Sequence, residues 1–270
     1  MRPLKIGVLN VMHDKQATNE RLTRVLTHSG QPVELHFYYP TLHYPQGAPA
    51  AVAAILSPLS ITEAQTMDAF IVTGAPLEAL PFSAITYIDE VNQLFDALAA
   101  AHVVQLHLCW GGMAALAHFY GIEKHLLPHK LFGVYPHKIV AETPLLAGLQ
   151  DGFKAPHARY AEMDLAQIRQ QPQLTLEALT ETGDLLLVEN HHAEQAFMFA
   201  HLEYGRKGLL HEYQREISTY PDRHYRQPAN YFADPAHLAG PQFDWAATQA
   251  VFFDQWVAHV AEVVKTKGDK

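Results

Sequence analysis

The sequence predicts an α/β fold: a parallel sheet with helices on both faces and antiparallel additions. Three observations carry this. In the first half, apolar, β-branched runs alternate with stretches of helical period, the order that βαβ crossovers require. From about residue 130, short extended runs follow one another with little helix between them, which reads as antiparallel pairing. Finally, 270 residues at 49% hydrophobic content can bury one large core. No internal repeat, low-complexity segment or long linker interrupts the chain, so residues 1–270 are expected to form a single domain.

The elements follow in order. "KIGVLNVM" (5–12) reads as a buried strand and "TNERLTRVLTHSG" (18–30) as an amphipathic helix ending at a glycine cap. "VELHFYY" (33–39) is the second strand, and residues 40–60, rich in Pro, Ala and Ser, are expected to be irregular. "DAFIVTGAP" (68–76) and "AHVVQLHLC" (101–109) are the third and fourth strands, with a helix at about 85–100 between them and another after Cys109. "LFGVYPHKIV" (131–140), "DGFKAPHARY" (151–160), "LTLEAL" (174–179), "DLLLVEN" (184–190) and "QAFMFAH" (195–201) are the later strands, the last rejoining the main sheet. Helices at about 206–217 and 244–265 close the chain.

Composition narrows the function. A formal charge of −9 argues against nucleic acid or an anionic membrane as the main partner. One cysteine excludes an internal disulfide and a thiolate zinc cluster. No signal peptide precedes the first strand and no apolar run reaches membrane-spanning length, so a soluble cytoplasmic protein is expected. Eighteen histidines invite a metal reading, with "ENHHAE" (189–194) and "HLLPH" (125–129) crowding possible ligands. There is no HExxH and no evident two-histidine-plus-carboxylate spacing, so no catalytic metal is expected. His191 and His192 fall in an expected hairpin loop, where solvated histidines are ordinary.

In open parallel sheets, sites form outside the carboxyl ends of the strands. Here those ends carry Lys15 after the first strand, "TGAPLE" (73–78) after the third, Cys109 after the fourth, and His201 with Glu203 in "FMFAHLE". Cys109 stands where a strand turns into a helix. There helix amides favour a thiolate, and Gly111 and Gly112 allow close backbone approach. The context is the thiol counterpart of a nucleophile elbow, with His107 where that motif's first glycine would be. The bland alternative is a small buried cysteine. His201 and Glu203, two apart on a strand, are expected to share a face, as a base and its orienting carboxylate would. The bland alternative for them is a surface pair.

With these residues in view, the sequence resembles the bacterial homoserine O-acyltransferases of methionine biosynthesis, relatives of class I glutamine amidotransferases. The matching stretches are "KIGVLNVMHDK", "FIVTGAPLEALPF", "HLCWGGMAAL", "YGIEKHLLPHKLFGVY", "FKAPHARYAE", "HLEYGRKGLLHEYQRE" and "NYF". The resemblance implies a flavodoxin-like fold and ping-pong transfer from a coenzyme A thioester. It casts Cys109 as nucleophile, His201 as general base and Glu203 as its orienting carboxylate. It makes Lys15, Lys130 and Arg215 substrate-contacting or site-lining cations, and the backbone amides at Leu77 and Trp110 an oxyanion hole. Glu78 corresponds to the position that separates acetyl from succinyl donors, glutamate going with acetyl-CoA. No bound cofactor is implied; acetyl-CoA is a co-substrate and a small hydroxy amino acid its acceptor. A homodimer is compatible with the resemblance.

The chain departs from the family pattern in three places. His201-Leu202-Glu203 replaces the usual His-Pro-Glu, and His13-Asp14-Lys15 keeps only the last lysine of "Pro-Lys-Lys". Ala158 stands where the family has a serine linked to recognition of the acceptor. Some members acetylate L-serine, so L-serine and L-homoserine both stand as acceptors. The expectation is an O-acetyltransferase of cysteine or methionine biosynthesis. Its alternatives are a Cys-His-Glu amidase or peptidase on the same scaffold, and a catalytically dead binding protein, against which retention of all three triad residues argues.

Overall fold

The computed structural model describes residues 2–219, 221–222 and 224–268. Its elements, in chain order, are β1 (Leu4–Leu9), α1 (Lys15–Leu26), β2 (Val33–Tyr39), α2 (Ala50–Ala53), β3 (Ser57–Pro58), α3 (Ile61–Ala64), β4 (Ala69–Val72), α4 (Ile88–Ala100), β5 (Val104–Leu108) and α5 (Trp110–Tyr120). There follow β6 (Lys124–Ile139), β7 (Phe153–Met163), α6 (Leu165–Gln170), β8 (Thr175–Thr180), β9 (Leu185–Asn190), β10 (Gln195–Met198), α7 (Gly208–Thr219), β11 (Phe232–Asp234), β12 (Ala239–Pro241) and α8 (Ala246–Gly268). Ten strands form one sheet in the order β3-β2-β1-β4-β5-β10-β9-β8-β6-β7.

The strands β2-β1-β4-β5-β10 run parallel. Numbered among themselves they give the 2-1-3-4-5 order of flavodoxin-like sheets. The short β3 joins β2 in parallel at one edge, and the other strands pair antiparallel: β10 with β9, β9 with β8, β8 with β6 and β6 with β7. Strands covered on both faces read as near-continuous apolar runs; all four residues of β4 and all five of β5 are buried, and the two polar ones in β5, Gln105 and His107, are hydrogen-bonded to each other. One core layer joins Leu22, Val25 and Leu26 of α1 to Phe252, Phe253, Trp256 and Val260 of α8. The other joins Val91, Leu94, Phe95 and Leu98 of α4 to Met113, Ala115 and Leu116 of α5. Helices therefore cover both faces, and none of the described ones is long and apolar enough to cross a membrane.

Boundaries differ from expectation where capping chemistry was overlooked. Helix α1 starts at Lys15, three residues early, because the Asp14 side chain accepts from the Ala17 N–H. Asp164 caps the unexpected helix α6 in the same way through Gln167. Residues 40–60, expected to be irregular, hold α2 and β3. Strand β6 begins seven residues early and absorbs a register shift between Leu126 and Leu131. The short β11–β12 hairpin was also not expected.

Candidate active site

Strand β5 delivers Cys109 into α5 through a strained turn. Its φ is +47° and its ψ −110°, a conformation that a side chain rarely adopts and that the surroundings must enforce. The Cys109 N–H donates to the Met198 carbonyl at 2.7 Å, and its carbonyl accepts from Met113. Gly111 is required by close approach: a Cβ there would stand 2.6 Å from the Val72 oxygen and 2.9 Å from that of Thr73. Gly74, after β4, is constrained less severely on the other side. Its Cβ would lie 3.3 Å from Cys109 Cβ and 3.4 Å from His201 Cε1. Three strand ends thus meet at one point.

His201 Nδ1 lies 2.8 Å from Glu203 Oε1, and the imidazole sits beside Cys109 across Gly74. The way His201 and Glu203 meet corrects the expectation from strand alternation. Strand β10 ends at Met198, and both residues lie in the following turn, closed by Tyr204 N–H donating to the His201 carbonyl. The turn is held from outside: Arg24 donates to the Glu203 carbonyl, and Gln249 of α8 to the carbonyls of Leu202 and Tyr204. The Tyr204 ring stacks on the imidazole with centroids 4.6 Å apart. Burial opposes charge on His201, yet Glu203 and Cys109 together hold its pKa well above the usual histidine value.

These groups floor a cavity of about 640 Å³, whose walls carry three carboxylates (Glu78, Glu212, Glu216) and two cations (Lys130, Arg215). Lys130 of β6 donates to Glu212 and Glu216 of α7. Burial works against the Lys130 charge, but the two carboxylates prevail and raise its pKa; Lys130 in turn holds Glu212 low against the upward pull of burial. Arg215 donates to His13 Nε2 at 2.7 Å. Burial first, and then the Arg215 charge, lower the pKa of His13 and favour a neutral, accepting imidazole. Ala158, on β7 and 5% exposed, presents a methyl group to the wall. Glu78 is 7% exposed and lines the same cavity; burial pushes its carboxyl up.

Two expected contributors sit otherwise. Lys15 opens α1 and folds its Nζ back onto the carbonyls of Asn10 (3.0 Å) and Met12 (2.7 Å). Burial lowers it to about 8, and it is not among the cavity-lining residues. The Leu77 N–H donates to the Ala75 carbonyl at 2.8 Å in a tight turn, so it is already engaged. The Trp110 N–H heads α5, where no carbonyl lies one turn back to receive it. Conversely, sequence reading missed Tyr204, which joins His201 to Glu212 through its hydroxyl at 2.8 Å. It also gave Glu212 and Glu216 no place at the site. Their i, i+4 spacing put them on one face of α7, but nothing local indicated that Lys130 would face it.

A model of the homoserine O-succinyltransferase family matches residues 1–266. The chain is 51% identical over 261 residues to a serine O-acetyltransferase of Lacticaseibacillus casei, covering 96% of each. It is 34% identical over 258 residues to a homoserine O-acetyltransferase of Thermotoga neapolitana, covering 95% of this chain and 84% of that one. Among solved structures, a glutamine amidotransferase from Thermotoga maritima superposes with a TM-score of 0.65 at 11% identity. It spans 96% of this chain and 99% of the other, a likeness of fold alone. The chain belongs to the homoserine O-succinyltransferase family and is an O-acyltransferase of amino-acid biosynthesis.

Proposed function

We propose that the enzyme transfers acetyl from acetyl-CoA to the side-chain hydroxyl of L-serine through a thioester on Cys109. The observation that carries this is Cys109, beside a Glu203-oriented imidazole, at the floor of a cavity that also buries Glu78. Cys109 sulfur attacks the thioester carbonyl, and the coenzyme A thiol leaves with a proton from His201. The serine hydroxyl then gives its proton to His201 and attacks the acyl-cysteine, and O-acetylserine departs as the Cys109 sulfur takes back the bonding pair. The Trp110 N–H supports the oxyanion. Leu77 joins it only when its bond to Ala75 opens.

The acceptor carboxylate suits Arg215, whose planar fork binds two oxygens at once. Its ammonium suits Glu216, whose Oε2 is buried in the described structure without a hydrogen-bond partner. L-Serine is preferred to L-homoserine because Ala158 offers the acceptor no hydroxyl, and because the 51% identical relative is a serine O-acetyltransferase. Free-thiol release, measured with acetyl-CoA or succinyl-CoA against L-serine, L-homoserine and water, tests the reading. Fastest release with acetyl-CoA and L-serine is expected. Equal release with water would make the enzyme a thioesterase and overturn it.

A further inference from the structure

Away from the catalytic edge, the other end of β10 carries a second cluster of chemically capable groups. Strand β8 is bulged: Leu176 pairs with Val188 and Ala178 with Leu187, which leaves Glu177 without a cross-strand partner. A bulge re-aims the side chain it releases, and Glu177 is fully buried. Its Oε1 lies 2.9 Å from His191 Nε2, while His191 Nδ1 lies 3.9 Å from Glu189 Oε1. The remaining Glu189 oxygen accepts the Thr143 hydroxyl. The remaining Glu177 oxygen, Oε2, is buried and has no hydrogen-bond partner in the described structure. One ligand atom from each of Glu177, Glu189 and His191 falls within 4.8 Å of the others.

Two buried carboxylates against one half-exposed imidazole leave negative charge short of compensation. Burial, and then the charge of Glu189, push Glu177 up to about 7. A cavity of about 90 Å³ opens beside the cluster, lined by Glu189, His191, Glu194 and His259 among others. That is room for about three waters at roughly 30 Å³ each. We propose that Glu177, Glu189 and His191 form a binding site for a first-row divalent cation, Zn²⁺ in the first instance, that ties the β8 bulge to β9 and the turn after it. One imidazole and two carboxylates match the borderline character of zinc, and water completes the shell. Mg²⁺, which takes oxygen ligands and keeps its waters, is a poor match. Donors around a tetrahedral zinc stand about 3.3 Å apart, given bond lengths of about 2 Å. His191 Nε2 and Glu177 Oε1 stand 2.9 Å apart, near that spacing already, and the His191 side chain, 47% exposed, has room to adjust as the carboxylates close on an ion. The site is structural and takes no part in acyl transfer.

The test is calorimetric titration of chelator-treated protein with ZnCl₂, with metal content measured after gel filtration and melting temperature recorded beside it. The wild-type chain should bind one Zn²⁺ at micromolar or tighter affinity, and its melting temperature should rise by a few degrees at a concentration of about 100 times Kd. MgCl₂ should do neither. His191→Ala, on the surface turn, and Glu177→Gln should each weaken binding at least about tenfold and abolish the melting shift. His191→Ala decides the matter should Glu177→Gln fail to fold. The proposal is overturned by no stoichiometric binding at about 100 μM ZnCl₂. It is equally overturned by binding that His191→Ala leaves unchanged, which would place the ion on other histidines.

Discussion

Replacing Glu78 with glycine should open the cavity to a succinyl donor, and the size of the effect follows from where the side chain sits. Glu78 lines the cavity that Cys109 floors, and it is buried. A succinyl group on Cys109 would bring its distal carboxylate into that space. Two like charges about 4 Å apart cost about 4 kcal/mol at an effective dielectric of 20, and about 3 kcal/mol at about 6 Å. Lys130 offers little relief, since Glu212 and Glu216 already share its charge. Halving these figures for residual solvent leaves about 1.5–2 kcal/mol, a tenfold to thirtyfold preference for acetyl. The volume of the glutamate side chain adds to this.

Initial rates of thiol release give kcat/KM for each donor in wild type, Glu78→Gly and Glu78→Gln. Glycine should raise the succinyl-to-acetyl ratio at least about tenfold. Glutamine keeps the volume but not the charge and should recover only the electrostatic part. Because burial raises the Glu78 pKa, its charge appears only as pH rises through that raised value. The wild-type preference for acetyl should therefore sharpen toward higher pH and be flat in Glu78→Gln. Equal use of both donors by the wild type, or an unchanged ratio in Glu78→Gly, would refute the reasoning.

Acetyl-CoA alone should add one acetyl mass to the peptide containing Cys109, as mass spectrometry would detect; its absence, with activity surviving in Cys109→Ala, would remove the covalent route. His201→Ala should slow both half-reactions by about 10²–10⁴ in single-turnover assays, and Glu203→Gln less, since Glu203 orients the base and transfers no proton. Gly74→Ala should depress kcat at least about tenfold while the melting temperature stays within a few degrees, because the added methyl presses on both Cys109 and His201. Arg159→Met should cost about 3–5 kcal/mol in urea unfolding, since it strips Glu162 of its buried partner and leaves the carbonyls of Leu185 and Phe199 without their donor.

The parallel half of the sheet was legible because strands covered on both faces read as predominantly apolar runs, as "AFIV" is throughout and "VQLHL" is apart from the buried Gln105 and His107. Cys109 was legible for a local reason too: a strand, a nucleophile and two glycines before a helix leave few other geometries. His201 and Glu203 were rightly paired for the wrong reason, since alternation along a strand was invoked where a turn does the work. Lys130 could not be placed from local pattern. Its partners lie 82 and 86 residues away on α7, and only the antiparallel return of β6 brings them together. Lys15 and Leu77 mark the opposite limit. A family motif fixes the residue, but a capped helix start turns the lysine to backbone carbonyls, and a tight turn engages the leucine amide. His191 looked like an ordinary loop histidine because the bulge that aims Glu177 at it has no signature in "LTLEAL".

One imidazole can serve both halves of the proposed reaction because part of its proton affinity is set by the nucleophile it serves. Burial pulls the His201 pKa down, while Glu203 and Cys109 are foremost in pushing it up. The Cys109 influence depends on a free sulfur. Acylation converts that sulfur into a neutral thioester, leaving burial opposed chiefly by Glu203. His201 then releases its proton more readily, as protonation of the departing thiol requires, and is left as the neutral base that a hydroxyl acceptor needs. Glu203 stays 2.8 Å from Nδ1 and its second oxygen has no competing hydrogen bond in the described structure, so its orienting charge remains directed at the ring. The clamp on the carbonyls of residues 202–204 by Arg24 and Gln249 keeps that geometry while the sulfur changes state. The two-step transfer proposed above therefore asks for one base only, His201, with Glu203 to orient it.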